Sequence, residues 1–227
     1  MSRVARLLAV LGGTFDPIHY GHLRLAAEVR HALGLDEVRL IPAGAPPHRA
    51  APIAPANHRL AMTVLGCAEF SGLIADAREI HRAGPSYTVL TLESLRAENA
   101  QRPLALLVGA DAFAGLPQWW RWEQLFVLAH LLVVERPGTE FNPRSLPAAL
   151  KTQWDLRFTT ETARLERSPA GAIARLPVTP QPISASAIRA ALARGPSGED
   201  QVRGLLPAAV LAYIERNQLY RSLADAT

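Results

Sequence analysis

The most constraining feature of this chain is a short apolar run, Val4–Leu11, that stops at Gly12-Gly13 and gives way to a helical pattern over Tyr20–Leu33. An apolar run this short and nearly continuous, broken only by Arg6, predicts a strand covered on both faces, as in a parallel sheet, since a half-exposed strand would alternate with polar residues. The unit recurs. Strands are predicted at Glu37–Pro42, Leu73–Ala77, Pro103–Gly109 and Leu131–Glu135, and helices at Asn57–Phe70, Ser86–Glu98 and Gln118–Leu128. Strands separated by single helices need crossover connections, so the chain is expected to be α/β, a doubly wound parallel sheet. After Arg136-Pro137-Gly138 the pattern loosens; a last strand at Ala172–Val178 precedes helices at Ser184–Arg194 and Pro207–Asn217. The expected organisation is one domain, 1–227, in which 180–227 form a helical C-terminal extension.

Composition narrows the class. Of 227 residues, 49% are hydrophobic and 19% charged, a balance that suits a globular core and leaves no apolar run near the ~20 residues of a membrane span. The Val4–Leu11 run is too short for a signal-peptide core and ends in a glycine turn, so a cytoplasmic location is expected. Cys67 is the only cysteine, which excludes an internal disulfide and a thiolate metal site; it is expected in the core. The net charge of +4 comes almost wholly from scattered arginines, Lys151 being the only lysine. Polymeric nucleic acid is therefore not an expected partner, whereas small phosphorylated ligands suit isolated guanidinium groups.

In a doubly wound sheet, ligands bind beyond the C-terminal ends of the strands. The first such turn is Gly12-Gly13-Thr14-Phe15-Asp16-Pro17-Ile18-His19-Tyr20-Gly21-His22. Backbone N–H groups and the following helix dipole favour an anion there, and the glycines let a phosphate lie against the backbone. The turn lacks GxGxxG, and it lacks the lysine that a Walker loop requires. His19 and His22, three apart at the mouth of the helix, can turn their rings to one side and donate to phosphate oxygens. Gly21 between them leaves room for a ligand. A metal pair is the weaker alternative, because no third ligand lies nearby. A second anion cradle is predicted at Ile183-Ser184-Ala185-Ser186-Ala187-Ile188-Arg189, where one serine, 184 or 186, can cap the helix and Arg189 follows a turn later.

The string GGTFDPIHYGHL resembles the signature of the nucleotidylyltransferase superfamily, which shares its HxGH element with class I aminoacyl-tRNA synthetases. The synthetases' second motif is lysine-rich, which one lysine cannot supply. Within the superfamily the chain is most similar to the bacterial nicotinate-nucleotide adenylyltransferases. The resemblance implies a Rossmann-like nucleotidyltransferase fold and two catalytic histidines, His19 and His22. It implies an ATP site from Gly12, Gly13, Thr14, Phe15, Gly21, Asp111, Ile183, Ser184, Ser186 and Arg189, with Mg²⁺ held mainly by the ATP phosphates.

Four further stretches carry the same resemblance: Pro46-Pro47-His48-Arg49, Gly84-Pro85-Ser86-Tyr87-Thr88, Gly109-Ala110-Asp111 with Trp119, and Glu135-Arg136-Pro137-Gly138. They imply that nicotinate mononucleotide is met by Asp16, His48, Tyr87, Thr88, Trp119 and Arg136. In this reading the amides near Tyr87-Thr88 take the carboxylate and Trp119 stacks on the pyridine ring. Trp120 and Trp122 are expected to be packing residues, and Asp76 and Glu79 solvated loop positions. Two positions depart from the family pattern. Arg49 stands where lysine is usual, and Leu90 where many members have an acidic residue. The function implied is AMP transfer from ATP to nicotinate mononucleotide, giving the dinucleotide and pyrophosphate. The alternatives are a sister transferase using phosphopantetheine or nicotinamide mononucleotide, and a non-catalytic nucleotide-binding domain.

Overall fold

The computed structural model describes residues 6–46, 51–135, 141–179 and 181–221. Among them, seven strands form one sheet: β1 (Leu8–Gly13), β2 (Val38–Pro42), β3 (Leu73–Ala75), β4 (Leu104–Gly109), β5 (His130–Glu135), β6 (Phe158–Thr159) and β7 (Ile173–Pro177). The order across the sheet is β3-β2-β1-β4-β5-β7-β6, and every pairing is parallel. The helices are α1 (Tyr20–Ala32), α2 (Ala56–Cys67), α3 (Arg78–His81), α4 (Thr88–Glu98), α5 (Ala110–Ala114), α6 (Leu125–Leu128), α7 (Ala148–Arg157), α8 (Ala185–Leu192), α9 (Pro196–Val202) and α10 (Ala208–Arg216). The doubly wound parallel sheet expected from the strand–helix alternation is present.

The side-chain period of two divides each central strand between two cores. Ala9 of β1, Ala105 and Leu107 of β4, and Leu132 and Val134 of β5 enter one core, shared with α1, α2, α8 and α10. Leu8 and Val10, Leu104, Leu106 and Val108, and Leu131 and Val133 enter the other, with α4 and the aromatic residues Phe113, Phe126 and Trp154. Each wholly buried aliphatic side chain contributes about 1.5–3 kcal/mol. Two-sided burial explains why these strands read as continuous apolar runs.

The C-terminal helices belong to the first core: Val202, Leu206, Val210, Leu211, Ile214 and Tyr220 are all buried in it. Tyr213 of α10 also bonds His58 of α2, with 2.9 Å between its hydroxyl and Nδ1.

Several expectations need correction. The helix predicted over Gln118–Leu128 is broken into 3-10 turns at Leu116–Gln118 and Trp122–Gln124, followed by the four-residue α6. Arg121 lies between the turns at φ 55°, a left-handed conformation that no continuous helix accommodates. The loose region after residue 138 contains α7 and the two-residue edge strand β6, neither anticipated. Asp76 and Glu79 are not solvated. Asp76 accepts from Arg78 at 2.6 Å and Arg39 at 3.4 Å, while the buried Glu79 accepts from the Thr91 hydroxyl. Burial pushes the Asp76 carboxyl up, but the Arg78 hydrogen bonds and both guanidinium charges hold it below the usual carboxylate range. These carboxylates tie α3 to its neighbours. Cys67 is buried as expected, and burial pushes its thiol up to about 12.

Candidate active site at the sheet switch point

From β1 the chain builds outward to β2 and β3, then returns to lay β4 on β1's other side. The crevice where strand order reverses lies beyond the C-terminal ends of β1 and β4. Both strands end in glycine there, and a Cβ placed on Gly12 or Gly109 would meet nothing within 4 Å. The expected approach of a ligand to the backbone is open at these two positions. At Gly13 it is not: a Cβ there would fall 2.5 Å from the Phe15 ring.

Beyond Gly13 the loop turns sharply, with Phe15 at φ 49° and its ring buried. His19 is the N-cap of α1, in extended conformation, and its Nδ1 accepts the Gly21 amide at 3.1 Å. His22, one turn on, stacks on His19 with ring centroids 3.8 Å apart and meets Phe15 edge-on at 5.0 Å. The structure brings the two histidines onto one side of the helix mouth. The expected role of Gly21 changes, however. A Cβ there would stand 2.9 Å from both Cε1 and Nδ1 of His19. The space beside Gly21 is filled by the His19 imidazole itself, so glycine is needed for the ring to cap the helix.

The serine–arginine motif sits against this loop. Ser184 is the N-cap of α8, its hydroxyl accepting from the Ala187 amide at 3.5 Å, which resolves the choice between the two serines. Ser186 accepts from Arg189 Nη2 at 3.2 Å, and Arg189 Nη1 donates to the Asp16 carbonyl at 2.7 Å. Ile183 lies beside Gly21, within 3.6 Å of a Cβ placed there. The two halves of the predicted phosphate site, 173 residues apart in the chain, thus meet.

Asp16 is turned inward. It is buried; Oδ2 accepts from the Ile53 amide at 2.8 Å, and Oδ1 from the Ala54 amide at 3.1 Å and the Tyr220 hydroxyl at 2.7 Å. Its carboxylate ties the loop to its neighbours, so the expectation that Asp16 meets the mononucleotide finds a side chain already occupied by protein donors.

On the other side of the crevice, Tyr87 occupies the N-cap position of α4 and Thr88 opens the helix, with no side chain capping that end. Asp111 is exposed in the first turn of α5, immediately after β4. Trp119 and Trp122 are half-buried against the second core, whereas Trp120 is 45% exposed. Trp120 lies over Tyr87 with ring centroids 4.7 Å apart and carries the Arg121 guanidinium at 4.9 Å. Trp120, expected as a packing residue, packs at the surface on Tyr87 and Arg121 rather than in the core. Leu90 packs against the second core. His48, Arg49 and Arg136 lie outside the described residues.

A family model described as cytidylyltransferase-like matches residues 10–191. The chain is 50% identical over 210 residues to a probable nicotinate-nucleotide adenylyltransferase of Halorhodospira halophila, covering 92% of this chain and 93% of the relative. A protein of the same name in Pseudomonas putida is 46% identical over 222 residues, or 97% and 98% of the two chains. The chain belongs to the nicotinate-nucleotide adenylyltransferase family. The fold agrees: the nicotinic acid mononucleotide adenylyltransferase of Plasmodium falciparum, solved with NaAD, superposes with a TM-score of 0.69 at 16% identity, covering 95% and 97% of the chains.

Arg59 was not singled out in the sequence, and Ser86 was read only as part of the GPSYT stretch and as a helix start; both hold the loops around the candidate site. Arg59 of α2 is 1% exposed and donates to three loop carbonyls: Thr14 at 2.8 Å, Ala54 at 3.1 Å and Gly44 at 3.1 Å. Ser86, expected to start a helix, instead accepts the amides of Gly44 and Ala45 at 2.9 and 3.1 Å. The only available signal was an arginine inside an otherwise apolar helical stripe, which reads equally as a solvated position.

Proposed function

We propose that the chain transfers AMP from ATP to nicotinate mononucleotide, releasing pyrophosphate and forming nicotinate adenine dinucleotide. The observation that carries this reading is the meeting of the His19–His22 pair with the Arg189–Ser186 arm across Asp16, at the switch point of the sheet. Two imidazoles and a guanidinium converging on one crevice suit a polyphosphate.

In this reading Gly12, Gly13, Thr14, Phe15 and Gly21 shape the backbone cradle. Ser184, Ser186 and Arg189 hold the triphosphate, with Ile183 and Asp111 at the rim. The mononucleotide phosphate attacks the α-phosphorus in line. A phosphate monoester is largely ionised at neutral pH, so the protein positions and neutralises rather than supplying a strong base. His19 and His22 stabilise charge on the transferring phosphoryl oxygens. The amides opening α4 at Tyr87-Thr88 receive the nicotinate carboxylate, and an indole of the 119–120 pair covers the ring.

Among the described residues no cluster of three His, Cys, Asp or Glu could hold a metal ion. A Mg²⁺ would enter on the ATP phosphates and neutralise the leaving pyrophosphate. No helix among these residues is long and apolar enough to cross a membrane.

The test is pyrophosphate release from ATP with nicotinate mononucleotide, its amide and phosphopantetheine as acceptors. The acid is expected to give the highest kcat/KM. Preference for phosphopantetheine would overturn the acceptor, and ATP binding without turnover on any of the three would overturn catalysis.

A further inference from the structure

Tyr220 lies near the C-terminal end of the described chain, yet its hydroxyl reaches the catalytic loop 204 residues earlier and donates to Asp16 Oδ1 at 2.7 Å. The tail is bent to allow this: after α10, Gln218 and Tyr220 adopt φ values of 51° and 66°, left-handed conformations that L side chains rarely take. The ring is buried in the first core. Burial, reinforced by the Asp16 hydrogen bond, pushes the phenol upward, so it stays a donor across the neutral range.

Asp16 is the joint between two parts of the site. Its carboxylate is held by Ile53, Ala54 and Tyr220, while its carbonyl receives Arg189 Nη1. Of the three donors on the carboxylate among the described residues, two are backbone amides, and Tyr220 acts through its side chain. A short carbonyl contact orients a guanidinium only if the carbonyl itself is fixed.

We propose that Tyr220 is a positioning residue for the triphosphate: by locking Asp16, it fixes the carbonyl that aims Arg189. This rests on the reading of Arg189 as an ATP-binding residue. The C-terminal tail then takes part in nucleotide recognition without touching the nucleotide.

The test uses Tyr220→Phe, which keeps the ring packing and removes one hydrogen bond. Calorimetric titration with α,β-methylene-ATP is expected to show binding weakened by about three- to tenfold. KM for ATP should rise in parallel, with KM for nicotinate mononucleotide moving less than about twofold and the melting temperature within a few degrees of wild type. In an Arg189→Lys background the same substitution should have almost no further effect, because its route to the nucleotide is already lost.

Unchanged ATP-analogue affinity in Tyr220→Phe would overturn the proposal, as would an equal loss in the Arg189→Lys background. A Tyr220→Phe protein too unstable to assay would place the hydroxyl in folding rather than in aiming Arg189, and would overturn it too. Wild-type protein that binds the analogue but does not adenylylate nicotinate mononucleotide would overturn only the acceptor. Wild-type protein that fails to bind the analogue would overturn both readings.

Discussion

The imidazoles of His19 and His22 stack with centroids 3.8 Å apart and planes 29° from parallel. His19 is fixed in that position because its Nδ1 accepts the Gly21 amide, which leaves the neutral ring's proton on Nε2. One ring is therefore both a helix cap and a candidate catalytic group.

His22→Ala is expected to lower kcat by about 10²–10³ while leaving the melting curve unchanged, since it removes charge stabilisation from the phosphoryl group rather than core volume. Gly21→Ala keeps both imidazoles but drives a methyl into His19, 2.9 Å from its ring, and should also depress kcat. Steady-state assays with circular dichroism as the folding control decide both; near-normal turnover in His22→Ala removes the histidine from the mechanism.

The two neighbouring indoles make distinguishable predictions. If Trp119 covers the pyridine ring, Trp119→Ala raises KM for nicotinate mononucleotide by about tenfold and destabilises the protein, because this indole is half-buried in the second core. Trp120→Ala, at an exposed position, should leave stability unchanged. A larger rise in KM for Trp120→Ala would move the stacking role one residue along, to the ring that already lies over Tyr87.

Arg59→Leu should be among the most damaging substitutions in the chain. It leaves the carbonyls of Thr14, Gly44 and Ala54 without their buried donor, at a cost of about 3–5 kcal/mol. Urea unfolding measures this directly. Arg59→Lys, lacking the fork that spans three carbonyls, should recover only part of it.

His130 predicts an acid dependence. Its Nδ1 accepts the Ala172 amide and its Nε2 faces the Ser168 carbonyl, an arrangement that fits the neutral ring. Burial pulls its pKa below the ordinary 6.5, against the opposing pull of the Ser168 hydrogen bond. The unfolded chain therefore takes up this proton first as pH falls. The contribution is fully present above about pH 6.5 and is lost toward the folded pKa, at about 1.4 kcal/mol per pH unit. Comparing denaturation midpoints of wild type and His130→Gln between pH 7 and pH 5 should show the extra slope only in the wild type.

The strands were legible because burial on both faces writes itself as an apolar run. β2 and β4 lie within a residue of their expected bounds, and β1 two residues or more further along than its run suggested. β6 was not legible, since two residues at a sheet edge carry no periodicity. The exposure of Trp120 was not legible, because three aromatic residues in four positions look alike as a string and only the packing of the fold sorts them.

The sequence by itself determined the α/β architecture, the glycine turn with its two histidines, the serine–arginine helix start, and the family. Those are local patterns, readable because strand burial, capping and anion binding each need particular residues at short spacing. The tertiary structure alone decided that Asp16 faces inward, that Arg59 and Ser86 hold the surrounding loops, and that Tyr220 closes on the loop after β1. Those contacts join residues up to 204 positions apart. A buried polar side chain is identified by its partners, and the partners are brought together only by the fold.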